Sequence, residues 1–215
     1  LALFILSFYS GRSICALAKN HAVTADSPTI VIDAGHGGMD PGKISASGIE
    51  EKDINLSIAL YLKQLFENHG YNVVMTRTTD TDVTDEDRVK ASNSSNAYVC
   101  VSFRMNSYNS DASVSGAESY IHTSKPTEAV ELSRIILKNM ESSTGIKNRG
   151  VKTGTVAAAK DNYYINAHCK CTSCIINMGF ITNASDLKKV TTGKDNTAQA
   201  IADGILEYLK QAGLY

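Results

Sequence analysis

The segment Asp33-Ala-Gly-His-Gly-Gly38 places an imidazole in a glycine-rich turn directly after the β-branched apolar run Thr29-Ile-Val-Ile-Asp-Ala34. The flanking glycines let the backbone turn sharply and bring His36 to a cleft, and imidazole is the commonest side-chain ligand for a metal ion. A phosphate-cradling loop is the weaker alternative, because no Gly-Lys-Ser/Thr follows the strand. A second segment, Gly48-Ile-Glu-Glu-Lys-Asp-Ile-Asn-Leu56, gathers carboxylates at a helix start, where their plain role is to favour the helix dipole. A third, His168-Cys-Lys-Cys-Thr-Ser-Cys174, sets four soft ligands within seven positions. It leaves open a metal or redox site, and equally a disulfide from Cys169 to Cys171 or Cys174. Structural zinc prefers paired Cys-x-x-Cys modules, however, and both Cys174 and Cys100 fall in apolar strands as small core residues.

These residues need a scaffold, and the hydropathy pattern supplies one. Thr29–Ala34 reads as a buried strand. Between Lys52 and His69, Ile54, Leu56, Ile58, Leu60, Leu62 and Leu65 then fall close to helical spacing, with Gly70 as the stop. Tyr71–Thr76 is the next strand and Glu86–Ser94 a short helix. The unbroken run Tyr98-Val-Cys-Val-Ser-Phe103 has the look of a strand covered on both faces. A strand over Ala117–His122, a helix over Thr127–Met140, strands near Val151–Ala157 and Thr172–Met178 and an amphipathic closing helix over Asn196–Leu214 complete the alternation. The predicted fold is α/β: a single domain with a mostly parallel central sheet covered by helices on both faces. In such sheets, ligands gather outside the carboxyl ends of the strands.

With 215 residues, 43% of them hydrophobic, 20% charged and only 3 prolines, the chain can bury one proper core and is neither disordered nor collagen-like. Lys and Arg number 21 against 22 Asp and Glu, a formal charge of −1 that argues against nucleic acid as the partner. Five cysteines, an odd count, leave at least one thiol unpaired. The apolar opening Leu1–Ser10 is shorter than the roughly 20 residues a spanning helix needs, and Ala16-Leu17-Ala18 offers a signal-peptidase pattern. Residues 1–25 are therefore expected to be an export signal or an N-terminal anchor, the only route to a membrane. The folded domain is expected over 28–215, exported from the cytoplasm.

Taken in order, the segments resemble the zinc-dependent N-acetylmuramoyl-L-alanine amidases of the third amidase family, cell-wall hydrolases that include sporulation and germination enzymes. The resemblance rests on Asp33–Gly38, Glu51-Lys-Asp-Ile-Asn-Leu56, Met75-Thr-Arg77, Arg88 with Asn93, Ser102–Asn106 and Gly179-Phe-Ile-Thr-Asn183. It implies hydrolysis of the amide between muramic acid and L-alanine in peptidoglycan or muropeptides, with one zinc ion held by His-Glu-His and a glutamate assisting proton transfer. His36 and Glu51 match the first two ligands. At the third ligand position stands Arg104, and at the catalytic glutamate stands Asn177; Asn106 falls at a substrate-binding position. A guanidinium stays protonated and offers only donors, so Arg104 is not expected to coordinate. An amide takes up no proton at neutral pH, and general acid–base catalysis contributes about 10²- to 10⁴-fold.

The leading expectation is a wall-directed domain with impaired or absent catalysis, Arg104 pairing with Glu51 where the metal's charge would be. One alternative is a working zinc enzyme in which His122, His168 or a cysteine completes the shell. The other is a binding or regulatory partner of an active amidase.

Overall fold

The structure is a computed structural model and describes residues 27–214; the expected signal or anchor over 1–25 lies outside them. In chain order the elements are β1 (Thr29–Ala34), α1 (Glu51–Asn68), β2 (Asn72–Met75), α2 (Asp85–Ser94), β3 (Val99–Asn106) and β4 (Ala117–Ile121). They continue with α3 (Thr127–Thr144), β5 (Asn148–Thr153), α4 (Tyr164–His168), β6 (Thr172–Phe180), α5 (Ala184–Val190) and α6 (Lys194–Gln211). The six strands form one sheet in the order β2-β1-β3-β6-β4-β5. Strands β2, β1, β3 and β6 run parallel, β4 lies antiparallel to β6, and β5 runs parallel to β4. The predicted α/β domain with its mostly parallel, doubly covered sheet is what forms.

Alternation along each strand decides which face a side chain joins. Ile30, Ile32, Val101, Phe103, Cys174 and Ile176 pack with Ile58, Leu132, Ile136 and Ile201 of α1, α3 and α6 in the larger core. Val31, Cys100 and Ile175 point the other way, against Val89 of α2 and Ile165 of α4. Helix α3 shows how sequence sets an element. Pro126 precedes it, Ala129, Leu132, Ile136 and Met140 line its buried side, and Gly145 closes it in the left-handed region at φ 66°. Truncating a fully buried residue such as Leu132 to Ala costs about 2–5 kcal/mol.

Several boundaries differ from the sequence expectation. Strand β3 continues to Asn106, because Arg104 still pairs with Asn177 of β6 after the apolar run has ended. Strand β5 begins at Asn148 and ends at Thr153, before Gly154 at φ 81°. Helices α4 and α5 were not foreseen; at five and seven residues they are too short to show a period. Asn183 caps α5, accepting from the backbone N–H groups of Ser185 and Asp186.

Candidate active site

The carboxyl ends of β1, β3 and β6 meet at one edge of the sheet, and the loop after β1 is clamped there by two buried arginines. Arg77 donates from Nε to the Ala34 carbonyl at 2.9 Å and from Nη2 to those of Gly35 at 3.1 Å and Lys52 at 2.8 Å. Arg88 donates from Nη1 to Asp33 Oδ1 at 2.6 Å and to the Ala34 carbonyl, and from Nη2 to the His36 carbonyl at 3.0 Å. Thr76 and Ser102 hydroxyls also donate to Asp33. Burial pushes the Asp33 pKa up, but Arg88, Arg104 and the hydroxyls outweigh it and leave it below the usual carboxylate value. This grip holds His36 at φ 62°, a backbone conformation that costs a non-glycine residue about 1–2 kcal/mol.

His36 lies between two carboxylates, with Nδ1 2.6 Å from Asp40 Oδ2 and Nε2 3.3 Å from Glu51 Oε1. Burial opposes its protonation, yet the hydrogen bond and charge of Glu51 and the hydrogen bond of Asp40 prevail and raise its pKa. Glu51, the first residue of α1, is 1% exposed and turned inward. Its Oε1 accepts the Met105 N–H at 2.7 Å and its Oε2 the Lys43 N–H at 2.9 Å. Burial raises the Glu51 pKa, but His36 and the two backbone donors bring it below the usual value. Gly42, at φ 67°, closes this corner: a Cβ there would sit 2.7 Å from both Glu51 Oε2 and His36 Cδ2.

Arg104 faces the same edge but does not pair with Glu51. No ion pair joins them among the described residues, which corrects the expectation of an Arg104–Glu51 bridge. The physical reason is that Glu51 already has two backbone N–H donors and an imidazole. The arginine stem instead crosses Gly35, where a Cβ would lie 2.9 Å from Arg104 Cγ, and its guanidinium lies 5.9 Å from the Tyr163 ring centroid. Its Nε is buried without an acceptor. Asn177 stands directly beside it in register, 3% exposed, with no side-chain hydrogen bond among the described residues.

Directly opposed residues in a sheet point to one face, so the row Arg104–Asn177 continues to Glu118 of β4. Glu118 is 2% exposed and fully engaged. Its Oε1 accepts from Asn106 Nδ2 at 2.6 Å and Tyr120 Oη at 3.1 Å, and its Oε2 from Arg149 Nε at 3.1 Å and Lys152 Nζ at 2.7 Å. The side-chain amide of Asn106, expected to bind substrate, gives one of its two hydrogens to Glu118. Sequence reasoning missed Glu118, Arg149, Lys152 and Tyr163. A carboxylate inside the apolar strand Ala117-Glu-Ser-Tyr-Ile121 was the available signal, because a buried charge demands partners.

The substitute ligands lie elsewhere. Strand β4 runs against β6, so His122, just beyond its end, sits at the opposite edge of the sheet from His36, along with Cys169 and Cys171 before β6 begins. His168 packs on Tyr164. The four described cysteines are free thiols, not the suggested disulfide; Cys174 faces the larger core, across the sheet from Cys169 and Cys171. Asn93 ties the neighbouring turn down, bonding the His168 carbonyl and the Lys170 N–H.

The profile of the N-acetylmuramoyl-L-alanine amidase family matches residues 30–207. The chain belongs to that family. It is 33% identical over 208 residues to the uncharacterized protein YqiI of Bacillus subtilis, covering 93% of this chain and 96% of that one. It is 34% identical over 185 residues to the N-acetylmuramoyl-L-alanine amidase LytC of the same organism, covering 85% of this chain but only 36% of LytC. Among solved structures it resembles an N-acetylmuramoyl-L-alanine amidase from Clostridium difficile 630, with a TM-score of 0.77, 30% identity and coverage of 86% and 98% of the two chains.

The family is zinc-dependent, so the donor set can be tested against that ion. A catalytic zinc takes three protein ligands and keeps one position open. Here His36 and Glu51 lie 3.3 Å apart, Arg104 at the same edge offers donors only, and no group of three His, Cys, Asp or Glu able to hold a metal exists among the described residues. Near a protein surface, like unit charges about 4 Å apart repel by roughly 4 kcal/mol, and a dication doubles that. The residues present do not fit the ion.

Proposed function

We propose that this chain is a peptidoglycan-directed domain of the amidase type that binds muramoyl peptides and hydrolyses them poorly or not at all. The observation behind the reading is the in-register pair Arg104–Asn177, where the family needs a lone-pair donor and a carboxylate. Arg104 supplies a fixed positive charge and donors only, and Asn177 an amide that can bond a ligand but take no proton. His36 is oriented by Asp40 at 2.6 Å and Glu51 at 3.3 Å. In this reading the cleft orients a muramoyl–alanine amide through donors and excludes water without activating it. The domain works outside the cell, beside the wall, reached through an export signal or anchor over residues 1–25. No helix among the described residues is long and apolar enough to cross a membrane. A protein partner, such as an active amidase, gives such a binding domain a use.

The test pairs two assays on the purified domain. It should co-sediment with insoluble peptidoglycan while releasing no muramoyl-linked peptide. Peptide release abolished by chelator and regained with zinc would overturn the reading, and failure to sediment would remove its wall-binding half.

A further inference from the structure

Beyond Asn177 the polar row opens into a cavity of about 530 Å³ that no step above uses. Its floor is Glu118 with Arg149 and Lys152, and Asn106 and Phe180 connect it to the ends of β3 and β6. One carboxylate faces two cations there, so the floor carries an excess positive charge. The only other charged lining residue, Asp111, is exposed and accepts the N–H of Ser113.

The cations are positioned but not used up. Arg149 gives Nε to Glu118 and Nη1 to the Ser115 carbonyl at 3.3 Å, leaving Nη2 without a partner among the described residues, and its guanidinium is held 5.1 Å from the Phe180 ring centroid. Lys152 donates one hydrogen to Glu118 and has two left. Burial raises the Glu118 pKa, but Lys152 and Arg149 outweigh it and keep the carboxylate charged, so the cluster is fixed at neutral pH. At the rim, Tyr108 and Val156 are 51% and 56% exposed and offer apolar surface. A ligand complementary to this wall is a short peptide with an apolar flank and a free carboxylate.

We propose that this cavity is a carboxylate-recognising peptide subsite, in which Arg149 Nη2 and Lys152 Nζ grip an acidic group of the peptide borne by muramic acid. The inference rests on the proposed function for the origin of the ligand. Glu118 on the cavity floor is the direct register neighbour of Asn177, which places the cavity one strand away from the Arg104–Asn177 pair.

Binding of N-acetylmuramoyl-L-alanyl-D-glutamate and of its diamide, measured by calorimetry, tests it. The same pair without the sugar, N-acetyl-L-alanyl-D-glutamate and its diamide, serves as control. The intact domain should prefer each diacid by about tenfold, the scale of one charge-assisted hydrogen bond. Lys152→Met should abolish the preference and Lys152→Arg should keep it. Lys152 is 40% exposed and Glu118 retains three other donors, so the fold survives either change. Equal binding of diacid and diamide, or a preference that persists in Lys152→Met, would overturn the subsite and leave wall binding standing. Preference among the sugar-free peptides, with no binding of the muramoyl ones, would keep the subsite and sink the proposed function. Absence of any binding would sink both.

Discussion

The two halves of the site edge differ in how completely their polar groups are satisfied. Around Asp33, both carboxylate oxygens have partners: Arg88, Thr76 and Ser102 surround them, and Arg77 and Arg88 bond the carbonyls of the His36 loop. One row away, Arg104 has a buried Nε with no acceptor and no carboxylate within ion-pair distance, and Asn177 has no side-chain hydrogen bond among the described residues. The frame around Asp33 is thus well paired, while the centre at Arg104 and Asn177 is not. The frame holds the fold together and is costly to change. The centre has fewer bonds to lose, so exchanging it should cost little stability.

Asp33→Asn should give the largest effect, because it leaves Arg88 buried without its countercharge. Breaking such a pair costs about 3–5 kcal/mol, readable as a lower urea midpoint. Acid titrates the same frame more gently. Asp33, Glu51 and Glu118 all have folded pKa values below their ordinary 3.8 to 4.5, so their contribution is fully present above that range. It is lost as pH falls through the depressed values, and unfolding monitored from pH 6 downward should show stability falling only below about pH 4.5. A domain equally stable at pH 3 and pH 6 would count against the frame. Gly42→Ala should cost about 1–3 kcal/mol by forcing φ 67° on a side chain and displacing Glu51 and His36. Arg104→Met should change stability by less than about 1 kcal/mol, since Arg104 forms no ion pair, acts on Asp33 only beyond ion-pair distance, and sheds a buried Nε that has no acceptor. A loss as large as that of Asp33→Asn would erase the contrast between frame and centre.

Much of this was legible in the sequence. The apolar runs and helical periods gave the α/β domain because burial on both faces leaves a one-dimensional trace. His36 and Glu51 were legible because glycine-rich turns and helix starts are local features, and the structure brings them together at 3.3 Å. The reversed direction of β4 was not legible, and with it went any way to place His122 or the cysteines at the far edge. The path of Arg104 was hidden too. Whether it meets Glu51 depends on the backbone donors of Met105 and Lys43, which no side-chain pattern reveals. Glu118 was overlooked because its partners Arg149 and Lys152 are about 30 residues away in sequence and reach it only through the β4–β5 pairing.

Zinc content by mass spectrometry, on wild-type protein and on the Arg104→His, Asn177→Glu double variant, tests the central claim most directly. The account predicts only trace metal in the wild type and one zinc per chain in the double variant, with peptidoglycan cleavage gained alongside. Stoichiometric zinc in the wild type, removable by chelator together with cleavage activity, would contradict it.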